Sequence, residues 1–189
     1  DWNHKEGESS NILSSAFSPN ESHVVTADHR TLVIWNAKTG APGWFWNAPG
    51  NINAMTLTRD GQFALLGMDD YTAAFFDIQN GGVKQTLNHQ GVVEAVALSD
   101  DGQLALTGSD DQSAKLWDLQ TGKLLHTLPH ENQVRMVSLS HDGSMAFTSA
   151  LRGRATIWDT RSGKVISEIS RIRGNYRSAR FSDNGKELL

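Results

Sequence analysis

The stretch SDDQSAKLWDLQTGKLLHTLPH, Ser109 to His130, decides how the whole chain is read. Taken for its chemistry, it offers a carboxylate pair (Asp110, Asp111), a Trp117-Asp118 dipeptide and two histidines, His126 and His130. Taken for its spacing, it is one copy of a repeat. Trp117-Asp118 is matched by Trp35-Asn36, Phe76-Asp77 and Trp158-Asp159, each 41 residues from the next. Gly40, Gly81, Gly122 and Gly163 keep the same step, as do Asp60-Gly61, Asp101-Gly102 and Asp142-Gly143. Asn184-Gly185 follows 42 residues on, and Asn20-Glu21 replaces the pair in the first copy. A fixed period held in several registers is the signature of a repeat architecture.

Each copy reads as four short strands. In the third they are Val93 to Leu98, Leu104 to Gly108, Ser113 to Trp117 and Lys123 to Leu128. Asp-Gly and Thr-Gly pairs supply the left-handed backbone positions that tight hairpins need. Val, Ile, Leu and Ala fill or alternate through the strands, and no long helical periodicity runs across them. One four-stranded sheet cannot bury both faces, whereas sheets stacked around an axis can.

The KLWD and TIWD strand ends, the Ser-x-Asp-Gly turns and the SDDQS segment resemble WD40 repeats, which build β-propeller blades. The resemblance covers nearly the whole chain. It implies an all-β propeller of four-stranded antiparallel blades, its ring incomplete in this chain. The blades are expected at about 11–47, 52–88, 93–129 and 134–170, with 171–189 starting a fifth. The whole of 1–189 is then one propeller domain or part of one. Missing sequence or another chain would complete the ring, because an open sheet edge is sticky.

In that family a histidine, a Ser/Thr, an Asp and the strand Trp of each blade form a hydrogen-bonded tetrad. The resemblance carries it onto His89, Thr107, Asp111 and Trp117. The first repeat supplies His4, Thr26 and Trp35, with Asp28 shifted by a deletion. The second keeps Asp70 but has Ala48, Leu66 and Phe76, so apolar packing replaces the polar chain. The fourth has His130, Thr148 and Trp158, with Arg152 where Asp is expected. Asp111 is therefore committed to structure, and Asp110 is the residue of the opening stretch left for contact.

No catalytic residue, cofactor or metal site is expected. His89 and His130 fall at equivalent places of different repeats and should not converge on one ion. No phosphate-cradling Gly-rich loop, Gly-x-Ser-x-Gly elbow or His-Glu-x-x-His occurs. The absence of cysteine excludes disulfides and thiolate chemistry within the chain.

The resemblance places partner contacts on the top face, at the second residue of each first strand (Leu13, Asn53, Glu94, Arg135, Arg177) and beside it at Asp69, Asp110 and Leu151. Of these, Asn53, Asp69, Glu94, Asp110, Arg135 and Arg177 are the candidate partner-binding residues. A non-catalytic scaffold for a protein partner is the reading that follows. The alternatives are a ligand-binding or enzymatic central channel, and a purely structural module of a larger protein.

Composition bounds these readings. The 189 residues carry a net charge of −4 and are 38% hydrophobic, as expected of a soluble domain. No apolar run is long enough for a membrane-spanning helix, so direct membrane insertion is not expected. Nucleic acid is not expected either, at a pI of 5.9 and with no stacking platform in view. Charge is uneven: residues 1–150 hold 8 basic and 17 acidic side chains, and residues 151–189 hold 9 and 4. Arg152, Arg154, Arg171, Arg173, Arg177 and Arg180 dominate the second part. They read as scattered surface arginines pairing with acidic neighbours, or else as a basic sector for an acidic partner or lipid headgroups.

The chain begins at Asp1 rather than Met, and an upstream targeting segment is a reasonable expectation. LSDDGQLALTGSDD, Leu98 to Asp111, resembles bacterial WD40 proteins, envelope lipoproteins among them. A cytoplasmic or a bacterial periplasmic setting would suit it. Finally, GAPGWFWNAPG, Gly40 to Gly50, should set Trp44 and Trp46 on one strand face and Phe45 on the other.

Overall fold

The computed structural model describes residues 14–18, 21–152, 154–169, 179, 181, 182 and 187. It contains four antiparallel sheets of four strands each, and none closes on itself. The first comprises β1 (Ser14–Phe17), β2 (His23–Ala27), β3 (Thr31–Asn36) and β4 (Pro42–Asn47). The second comprises β5 (Ile52–Leu57), β6 (Phe63–Met68), β7 (Thr72–Asp77) and β8 (Gly82–Asn88). The third comprises β9 (Val93–Leu98), β10 (Leu104–Ser109), β11 (Ser113–Asp118) and β12 (Lys123–Pro129). The fourth comprises β13 (Val134–Leu139), β14 (Met145–Ala150), β15 (Ala155–Asp159) and β16 (Val165–Ile169). Strands pair in chain order within each sheet, the meander of a propeller blade. No helix among the described residues is long and apolar enough to cross a membrane.

The turns follow from their residues. Asp60, Asp101 and Asp142 each accept a hydroxyl from the Thr or Ser two positions earlier and an amide two positions later. The glycine after each adopts a left-handed φ of 67–69°. Glu21 holds the same place in the first sheet at φ 53°, a conformation that costs a side chain more than it costs glycine. Asp77, Asp118 and Asp159 cap the last hairpin of their sheets, each accepting the amide three residues on. The Asp that follows the Trp is thus a turn residue, which explains its fixed spacing.

Sheets pack face to face. The first strands β5, β9 and β13 lie side by side and define the inner end of each blade. Near that end each sheet carries one small residue, Ala27, Gly67, Gly108 and Ser149, the two non-glycines being buried. A Cβ on Gly67 would come within 2.9 Å of a Val93 methyl, and one on Gly108 within 2.8 Å of a Val134 methyl. Farther out the gaps are filled by large side chains. Phe76 is wholly buried under Trp44 and Trp46, with ring centroids at 5.3 and 5.0 Å. The two tryptophans alternate with outward-facing Phe45, as the strand period requires.

The sequence does not announce one irregularity. Every third-to-fourth strand ladder shifts register beside the Trp or Phe position, leaving an extra residue on the fourth strand. Such a bulge increases the local twist and turns side chains outward. Residues 171–189, expected to start a fifth blade, lie mostly outside the described residues. Phe181 is described, and it is buried against Phe147 and Ala155 of the fourth sheet.

Candidate functional site

The polar chain of the third blade runs from its core to its rim. Trp117 Nε1–H donates to Thr107 Oγ1 at 2.9 Å. Thr107 Oγ1 lies 2.7 Å from His89 Nε2, and His89 Nδ1 lies 2.8 Å from Asp111 Oδ2. Asp111 also accepts the Gln90 amide and, on its other oxygen, both the amide and the hydroxyl of Ser113. Thr107 and His89 are buried, and each of their polar atoms has a partner.

The acid–base properties follow from this burial. Desolvation is the largest influence on His89 and lowers its pKa, which the Asp111 carboxylate opposes. The neutral imidazole then donates from Nδ1 to Asp111 and accepts the Thr107 hydroxyl at Nε2. Burial alone would raise the Asp111 pKa, but its hydrogen bonds from Gln90, Ser113 and His89 prevail and hold it at about 2. Burial likewise lowers His130. A lowered histidine pKa means that the unfolded chain takes up the proton more readily. Stability from His89 and His130 is therefore full above the ordinary value of 6.5 and is lost as pH falls below it. The Asp111 contribution is full above 3.8 and is lost toward about 2. Urea midpoints measured from about pH 8 down to about pH 5 should fall, and His89→Gln with His130→Gln should flatten that slope. A slope unchanged in the double variant would refute this assignment.

The other blades depart as their residues dictate. In the fourth, Trp158 donates to Thr148 at 2.7 Å and His130 Nε2 meets the same hydroxyl at 2.9 Å. Among the described residues no carboxylate meets the other imidazole nitrogen, and Arg152 stands in the turn at φ 53°. In the second, buried Leu66, Ala48 and Phe76 replace the chain, and Asp70 accepts only the amide and hydroxyl of Thr72. In the first, Trp35 donates to Thr26 at 2.8 Å, and Asp28 accepts the Arg30 and Thr31 amides. His4 lies outside the described residues.

The top-face candidates meet at one point. Arg135 reaches Glu94 Oε1 at 2.5 Å and Asp110 Oδ1 at 3.2 Å, and its guanidinium also donates to Gln133 Oε1. One cation of the fourth blade thus bridges two carboxylates of the third. The Asp110 contact is ionic but not aligned for a hydrogen bond, and that oxygen is otherwise buried and unsatisfied. Desolvation raises the Asp110 pKa, Glu94 and Asp111 add to the rise, and Arg135 opposes it. Asp110 and Asp111 point to different partners, as expected of successive turn residues.

Asn53 and Asp69 stand apart from this cluster. Asn53 donates to the Val93 carbonyl, and Asp69 accepts the backbone and side-chain N–H groups of Asn51. Leu151 is exposed. Leu13, Arg177, Arg171, Arg173 and Arg180 lie outside the described residues. Arg154 pairs with Glu168 on its own blade at 2.6 Å.

Sequence reasoning overlooked the cross-blade ion pairs. Asp100 meets both Arg59, at 3.0 Å, and His141. Arg59, Asp100 and His141 are 41 residues apart in turn, as are Glu94 and Arg135. Opposite charges one period apart were the available signal, because equivalent positions of adjacent blades are neighbours in space.

Among curated proteins, none matches the chain. The sequence model of the family described as "WD domain, G-beta repeat" matches residues 3–36, 81–118 and 122–159. These matches span more than half of the chain, and together with the four four-stranded blades they show that it belongs to the WD40 repeat family.

Proposed function

We propose that this WD40 propeller is a non-catalytic scaffold that binds a protein partner through its top face. The observation that carries the reading is the Glu94–Arg135–Asp110 cluster. Three charged side chains from two blades converge there, each partly exposed, so that Glu94 and Arg135 present charge of both signs to a partner. Such partly desolvated charges set partner choice more than they set fold. Asn53 and Asp69 lie within the same proposed surface.

The non-catalytic part of the proposal draws on the titratable groups. His89, His130 and Asp111 have shifted pKa values, and each is bonded within its own blade rather than aimed at a shared space. A catalytic acid or base must reach a substrate proton.

The test is a charge exchange. Glu94→Arg combined with Arg135→Glu, and with Asp110→Asn so that no second carboxylate faces the new Glu, keeps an ion pair between the blades but reverses its polarity. The triple variant should retain its melting temperature and lose about tenfold or more in affinity for a partner captured by the unmodified full-length protein. Unchanged affinity would exclude the top face.

A further inference from the structure

One position on each outer strand lies over a glycine of the next blade's last turn. Trp44 lies over Gly81, Gln85 over Gly122 and His126 over Gly163. Strand register agrees, with Gln85 opposite Phe75 and His126 opposite Leu116. Between the first two blades the Trp44 indole covers the junction and packs on Phe76. Between the last two, His126 covers it and reaches the Arg161 carbonyl at 3.2 Å. Gln85 is slimmer than an indole, and beside it a cleft of about 960 Å³ opens between the second and third blades.

The walls of this cleft differ from those elsewhere. Phe63 stacks on Phe75 at 4.9 Å, where the third blade has Leu104 and Leu116 and the fourth Met145 and Ile157. Gln85 Nε2 donates to the Leu119 carbonyl at 2.6 Å, which fixes the orientation of the amide. Its Oε1 is left buried without a donor. An unsatisfied buried acceptor is a standing cost that an incoming N–H removes. At the rim, Arg59 is held by Asp100, and the Lys84 ammonium lies 4.6 Å over the Phe63 ring. Asp60 and Asp101 each use one oxygen within their own turn, which leaves excess negative charge at the mouth.

We propose that this cleft is a second docking site, and that it takes a tryptophan side chain from a basic segment of a protein partner. The indole lies against Phe63 and Phe75, as Trp44 lies against Phe76 one junction earlier. Its N–H donates to Gln85 Oε1 once the Gln85 side chain turns that buried oxygen toward the cleft, and a neighbouring lysine or arginine faces Asp60 and Asp101. Aromatic anchors in pockets with a polar rim carry much of the energy of protein contacts. The site lies at the opposite end of the strands from Glu94 and Asp110, so it stands whether or not the top face binds.

The probe is acetyl-Lys-Trp-Lys-amide, titrated into the full chain and followed by amide NMR. Saturable shifts of the Gln85 side-chain amide are expected. The same peptide with 1-methyltryptophan, which lacks the N–H, should bind at least about tenfold more weakly, and a Glu-Trp-Glu peptide should bind weaker still. Gln85→Trp should fill the cleft from within and abolish the shifts. Phe63→Leu installs the residue that the third blade carries and should weaken binding about tenfold. The proposal is overturned if Gln85 shows no saturable shift, if the methylated peptide binds equally, or if both variants bind as the unmodified chain does.

Discussion

Asp111→Ala is expected to destabilise the chain by about 3–4 kcal/mol, and Asp70→Ala by about 1 kcal/mol, although the two aspartates occupy equivalent turns of their blades. Asp111 accepts from His89, from the Gln90 amide and from both donors of Ser113. Its loss strands the Nδ1–H of a buried imidazole, and with it the orientation that lets His89 accept from Thr107. Asp70 serves only Thr72, within its own turn. The second blade has leucine and alanine where the threonine and histidine would be, so nothing buried depends on that carboxylate. At about 2–4 °C per kcal/mol for a chain of this size, the two melting temperatures should differ by about 4–12 °C. Equal shifts would show that the polar chain adds nothing beyond the turn.

Phe76→Ala is expected to cost about 3–5 kcal/mol, the range for a large aromatic removed from a filled core. Phe76 is fully buried between two blades and supports both Trp44 and Trp46. The informative companion is Phe76→Trp, which restores the residue found at this position in the other three blades. It is expected to destabilise rather than repair. The added ring must enter a packed junction, and its N–H meets Leu66 where the other blades offer a threonine hydroxyl. Thermal unfolding of both variants checks this. A Phe76→Trp protein more stable than the parent would mean that the junction holds unfilled space.

These effects indicate how much could be read from residue order. The period exposes the strands, the turns and the third blade's polar chain, because each needs a particular residue type at a fixed offset. Asp111 and Trp117 were legible for that reason, and so was the apolar replacement around Phe76. The bulges were not legible: the extra residue is Lys84 in one blade and Leu125 or Ile166 in others, and backbone geometry rather than side-chain chemistry selects it. The resemblance set Asp110 beside the series that includes Arg135, but their ion pair was not legible, since it joins different positions of two repeats. The cleft beside Gln85 was hidden for a related reason. It arises where one member of the Trp44, Gln85, His126 series is too small, and the series becomes visible only when the blades are stacked.

The small residues at Ala27, Gly67, Gly108 and Ser149 bear on more than local packing. With little or no side chain near the axis and an aromatic such as Phe76 farther out, successive sheets cannot lie parallel, and each junction becomes a wedge. The opening angle of that wedge is set by the difference in side-chain volume along the radius. A full turn divided by that angle gives the number of blades that can close. Ring size is then written into the contrast between those four small residues and the bulk outside them. Enlarging the inner residue would not merely crowd a core; it would alter the arithmetic by which the circle is completed.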